Sequence, residues 1–419
     1  MKPSNKGWLS EYLDFRKDLF NELADHRKDS HPEYALYRII QPTGLMYGQS
    51  VGNINHPDAA SWDEKDRMKV LLAESLISSS ILFHGKPIAN QQELADLFTR
   101  VLEKITTFYN TIFPELATPT KTLFGKKRST VELAERILEK RIDRTFEHRG
   151  NFWVYFFHNS ILFLDIFIFG QWIHTNADKI VADFFRYERE ELRFSVIKVI
   201  AAAAHSDNVL DFEEQKLFEY FIQGTEIPSE RRKEALSIFK SGVAVQDINL
   251  PADNSWILRK FYLEVAILTM WADRRVEDSE HEFLKRLCTH MGFSEDDLEN
   301  SLIAIEGFVL EHWEELEYLQ DKQNYERVSE HFISRVARIA DKNRGRLLKE
   351  IQDNKAIMNL LLKAQAEVLT ADESQAVRLH LIRALKTIPT FAIIALPENF
   401  LTLPVLLKIL PKNLFTGQS

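Results

Sequence analysis

Cysteine is nearly absent. One residue, Cys288, stands in a chain of 419, inside the apolar pattern FLKRLCTHMGF. No disulfide can form within the chain, so an oxidising compartment gains no support. A lone thiol in such a pattern reads as a small buried hydrophobe. Glycine (14) and proline (13) are both scarce, which disfavours turn-rich β architecture and leaves long helices. Positive charge is not in excess either. Lys and Arg number 53 against 62 Asp and Glu, a formal charge of −9, which argues against broad nucleic-acid binding but not against local basic patches. The opening MKPSNKGWLSEYLDFRKDLF lacks the apolar run of a secretion signal and reads as an amphipathic helix. No Gly-rich phosphate loop, zinc-spaced His/Cys cluster or nucleophile elbow occurs, so the expectation is a protein that is not an enzyme.

What the chain does have is helical period. Hydrophobic residues make up 45% and charged residues 27%, the balance of a globular body long enough for two or three domains. No segment sustains strand alternation, so the expected class is all-α and multi-helix. Five stretches are expected: N-terminal helices and a loop over 1–58, a helical domain over 59–188, a second over 189–300, a helical connector over 301–377 and an apolar tail over 378–419. The clearest linker is PELATPTKTLFGKKRST (114–130), after which Ser129 and Glu132 form a capping-box pattern. Its Lys126-Lys127-Arg128 triplet is a solvated loop or a contact for anionic headgroups. Further breaks fall at GTEIPSE (224–230), SGVAVQDINLPADNS (241–255), MGFSEDD (291–297) and DKNRGR (341–346).

Two apolar runs stand out. FWVYFFHNSILFLDIFIFGQW (152–172) is long enough to span a bilayer. Yet Asn151, His158 and Asp165 recur every seven residues along one face, which suits a helix buried against others. A His158–Asp165 metal or proton site would lack an identifiable third ligand. The second run, FAIIALPENFLTLPVLLKILPKNLF (391–415), follows Pro389 and contains Pro397, Pro404 and Pro411. A continuous helix from Pro389 to Pro411 would span about 33 Å, near bilayer thickness, with Glu398 at the midplane. Such a helix needs help from neighbours at each proline. The alternatives are short helices on a surface, or an arm packed on the protein's own core.

A degenerate repeat is the most specific internal signal. AAAHSDNVLDFEEQKLFEYF (202–221) overlays LTMWADRRVEDSEHEFLKRL (268–287) at an offset of 66. Asp207 matches Asp273, Asp211 matches Glu277, and Glu214 matches Glu280. Each copy follows an apolar helix and precedes an amphipathic one. Asp211 with Glu214, and Ser279 with Glu282, could cap helices. Alternatively the carboxylates of each corner could hold calcium or magnesium through oxygen. The spacing is not that of an EF-hand, which needs a glycine at the sixth position of its loop.

The run Ala201–Ala204, His205, Asp207, Leu210 and Glu214, with Asp273, Val276 and Glu280 in the second copy, resembles the tellurite-resistance B (TerB-like) family. The resemblance implies a compact, pseudosymmetric helical module that senses stress or ions beside membrane-associated partners. The tail resembles the leucine-zipper, EF-hand-containing transmembrane protein family through Ile388-Pro389, Pro397-Glu398, Leu403-Pro404-Val405, Lys408, Pro411 and Leu414. In that family the segment is a membrane helix, associated with cation/proton exchange and, through a following domain, with ribosome binding. Together the resemblances imply a membrane-associated scaffold or ion-sensing protein of the bacterial envelope, biofilm-related in type. Its body would lie in the cytoplasm and its tail would be held at the inner membrane. Lipid, a protein partner or a second copy, and the ribosome are the partners implied. The alternatives are an antiport component using Glu398 and a ribosome tether.

Overall fold

Helices begin where the sequence supplies a side chain to receive their first N–H groups. Asp63 accepts from the Asp66 N–H, Asn90 from Glu93, Ser129 from Glu132 and Asn324 from Arg327. Ser294 with Asp297 and Thr370 with Glu373 form full reciprocal capping boxes. The computed structural model describes residues 1–411 except 30, 53, 118, 122–125, 147–151, 175–180, 207–217, 220–221, 223–226, 251–254, 272–277, 317–319 and 321–323. Among the described residues there is no β-strand, only one isolated bridge between Lys121 and Lys127. The all-α expectation therefore holds for them.

The helices are α1 (Trp8–Phe15), α2 (Lys17–Asp29), α3 (Pro32–Ile40), α4 (Glu64–Leu82), α5 (Gln91–Ile112), α6 (Thr130–Thr145), α7 (Phe152–Asn159), α8 (Leu162–Trp172), α9 (Val181–Ala204), α10 (Ser229–Ser241), α11 (Trp256–Trp271), α12 (Asp278–His290), α13 (Glu295–Glu311), α14 (Tyr325–Lys342), α15 (Arg344–Gln352), α16 (Lys355–Ala366), α17 (Ala371–Lys386), α18 (Pro389–Ile393) and α19 (Leu403–Ile409). They divide into two units, α1 to α12 in the first and α13 to α19 in the second.

In the first unit α4 is buried on nearly every side from Met68 to Leu82 and packs against α2, α3, α6 and α8. The expected loop 41–58 opens with two short 3-10 turns whose Leu45, Met46 and Tyr47 are fully enclosed. Gly48 makes this possible. Its φ is +68°, and a Cβ there would meet the Tyr155 carbonyl oxygen at 2.2 Å. Tyr47 and Tyr37 donate to the two oxygens of Glu264 at 2.8 and 2.6 Å, tying the N-terminal helices to α11. Cys288 is buried.

The apolar run 152–172 is two helices, α7 and α8, broken at Ser160-Ile161. Ile161 to Trp172 is buried in protein apart from the half-buried Gln171. Asp165 is fully buried, and its partners are not His158. Arg141 Nε donates to Oδ2 at 2.9 Å and Arg189 Nε to Oδ1 at 3.1 Å. The Phe113 ring lies 4.8 Å from the Arg141 guanidinium and 4.1 Å from that of Arg189. Burial pushes the Asp165 pKa up. The Arg141, Arg189 and Arg193 charges outweigh that and hold the carboxyl below its usual range. The helix resembles a membrane span because it is buried in a core.

The second unit is built on α13 and α14, with α19 against both α14 and α17. Here the expected membrane helix over 389–411 is replaced by α18 and α19 with an irregular stretch between them. Pro389 and Pro404 stand in the first turns of these two helices, where an N–H is dispensable. Pro397 and Pro411 lie outside helices. Leu401, Leu406, Ile409 and Leu410 are buried, and the Phe400 ring packs edge-on to Phe332 at 5.6 Å. Glu398, expected at a bilayer midplane, keeps 46% of its side chain exposed and pairs with Lys386 at 2.6 Å. Lys408 lies in the last turn of α19. Among the described residues no helix is long and apolar enough to cross a membrane.

Candidate functional site

The first unit contains a cleft of about 830 Å³ at the ends of three helices. Ala202, His205 and Ser206 come from the end of α9. Ser241 and Gly242 come from the end of α10, and Arg286, Thr289 and His290 from the last turns of α12. The last carbonyls of a helix have no partner within it, and the helix dipole places partial negative charge there. Three such ends gather at one cleft, which therefore favours a cation.

Both histidines are held by their Nε2 atoms. His205 Nε2 donates to the Phe239 carbonyl, and His290 Nε2 donates to the Ile248 carbonyl at 3.0 Å. A carbonyl oxygen can only accept, so each proton sits on Nε2 and each Nδ1 presents a lone pair. This is the arrangement in which imidazoles serve as metal ligands, with the far nitrogen anchored to backbone. Gly242 makes room for one of them. Its φ is +75°, and a Cβ there would lie 3.4 Å from the His205 ring. Phe239 holds the wall by stacking on Phe218 at 3.8 Å.

The acidic corners predicted from the repeat fall beside this cleft in sequence. Asp207 follows directly on Ser206, a lining residue, but Asp207, Asp211, Glu214, Asp273 and Glu277 lie outside the described residues. Glu280 falls on α12, one turn before the lining residue Phe283, with its side chain outside the description. The two apolar helices that precede the corners end at Ala204 and Trp271, within a residue of the offset of 66. Among the described residues no group of three or more His, Cys, Asp or Glu side chains is placed to hold a metal ion. The reading from sequence missed His290, Arg286 and Gly242. The legible signal was a histidine in the last helical turn, His290, with a glycine just past the end of another helix.

No protein-family model, characterised protein or solved structure matches the chain. Neither resemblance drawn from the sequence gains support from these comparisons.

Proposed function

We propose that this is a non-enzymatic, cation-responsive helical protein whose sensing site is the cleft at the ends of α9, α10 and α12. The observation that carries the reading is the convergence of three helix C-termini on two imidazoles whose Nδ1 atoms are fixed as acceptors. The cleft has room for a hydrated divalent cation, and Asp207, which follows the lining residue Ser206 in sequence, would add an oxygen donor. Calorimetry of the whole chain with Mg²⁺, Ca²⁺, Mn²⁺ and Zn²⁺ tests this. At least one of them should bind, with affinity lowered tenfold or more by His205→Ala plus His290→Ala and by Asp207→Ala. A chain that binds none of the four, or binds equally well after both changes, sinks the proposal.

A second reading keeps the membrane association expected from the tail, as docking on a surface. Leu362, Val368, Leu379 and Leu407 are the exposed large aliphatic residues among those described, and all four belong to the second unit. Lys408 adjoins Leu407 and would add attraction to anionic lipid. Flotation with vesicles containing phosphatidylglycerol should recover the chain, and Leu407→Asp should lower recovery. Equal recovery with neutral and anionic vesicles for both proteins removes this reading.

A further inference from the structure

The cleft at the ends of α9, α10 and α12 also holds a charge of the wrong sign for a bare cation. Arg286 lines it and stands one turn before His290 on α12, so the guanidinium and that imidazole share a face of the helix. Among the described residues the guanidinium makes no hydrogen bond or ion pair, although Glu282 lies one turn before it on the same helix. A cation on His205 and His290 therefore meets an uncompensated positive charge in the same lining. The three helix C-termini offset this with partial charges only. A ligand that brings its own negative charge removes the conflict.

Volume and donors define that ligand. A divalent cation with its six waters occupies roughly 200 Å³, at about 30 Å³ for each water. Most of the 830 Å³ of the cleft is then left for a second group. Three donor side chains line it from three parts of the chain. They are the Ser206 hydroxyl two residues past α9, the Gln246 amide in the 3-10 turn Val245–Asp247, and the Arg286 guanidinium on α12. None of the three side chains is engaged in a hydrogen bond among the described residues. A planar carboxylate has two oxygens to offer them. A tetrahedral phosphate has enough for all three donors and for a metal ion, and the guanidinium fork matches its geometry.

We propose that the cleft takes a divalent cation together with a phosphate group, the cation on His205 and His290 and the phosphate on Arg286, Ser206 and Gln246. This rests on the cation reading above and names the anion that comes with the ion. The two ligands bind cooperatively, because each cancels the charge that opposes the other. The coupling is reciprocal: the phosphate raises affinity for the cation by the factor by which the cation raises affinity for the phosphate.

The test is calorimetric titration of the full chain with the same four cations, each with and without millimolar methyl phosphate and referred to the free metal. The anion should raise the affinity of a cation that binds by about tenfold, the worth of charge-assisted hydrogen bonds to one guanidinium. Arg286→Gln should bind the bare cation more tightly than the unmutated chain, because the repelling charge is gone, and should lose the gain from methyl phosphate. Arg286→Lys keeps the charge without the fork, and should show only part of the gain. Acetate should give much less than methyl phosphate. An equal gain with acetate overturns the phosphate assignment. A chain that binds a cation and ignores methyl phosphate, or an Arg286→Gln chain that keeps the whole gain, overturns the inference and leaves the cation reading standing. A chain that binds none of the four cations with or without the anion removes the cation reading as well.

Discussion

Buried acids in this protein behave according to what they touch. Asp165 is held charged by guanidiniums, whereas burial raises the Glu264 pKa even though Lys260, Tyr37 and Tyr47 face it. Glu306 goes further. Burial outweighs Arg335, whose Nε lies 3.1 Å away, and pushes Glu306 up to about 7. An unfolded glutamate titrates near 4.3. Between those values the folded chain binds more protons than the unfolded one, so the second unit should lose stability as pH rises from about 4.3 to 7, then level off. Between pH 5 and pH 8 the loss should be on the order of 2–3 kcal/mol, and Glu306→Gln should abolish it. Urea unfolding at pH 5 and pH 8, followed through Trp313, the one tryptophan of 292–419, measures this. Identical slopes in the two proteins refute it. At Asp165 the expected result is larger. Asp165→Ala should cost about 3–5 kcal/mol because two buried guanidiniums lose their carboxylate, and a calorimetric melting point unchanged from wild type excludes that role.

At the scale of the element, caps were legible and partners were not. The Ser129 cap and the breaks at 291–297 and 341–346 sit where the sequence marks them, because capping depends on a few adjacent residues. The arginines of Asp165 stand 24 residues away on either side, at Arg141 and Arg189, and no local pattern reveals them. For the same reason the heptad stripe misdirected attention to His158. Apolar runs are ambiguous in a different way: a bilayer and a core both exclude water, so composition alone does not separate them. Among the tail's prolines, Pro389 and Pro404 stand in the first turns of short helices and Pro397 lies between them, so no continuous helix runs from 389 to 409. Leu406 is fully buried on α19, so Leu406→Asp should destabilise the second unit by several kcal/mol through an unpaired buried charge. Gly307 has Phe332 and Pro397 against it, at 3.2 and 3.3 Å from where a Cβ would lie. Gly307→Val should therefore displace the 397 stretch and speed its proteolysis. A tail cleaved at the wild-type rate in both variants would show that it is not part of this core.

Across the whole molecule, the net charge of −9 hides local order in the first unit. The cleft described in it lies where three helices terminate at their carbonyl ends and is lined by two histidines. The helical class was readable from period and from missing glycine and proline. The cleft was not, since it assembles residues more than 80 positions apart in the chain.

Cys288 has its own experimental consequence. With the only sulfhydryl shut inside the folded interior, the exterior is blank to maleimide chemistry. A cysteine introduced at Leu407 or Val368 would then be the sole labelled point. A dye placed there would report contact with vesicles without first stripping the native thiol.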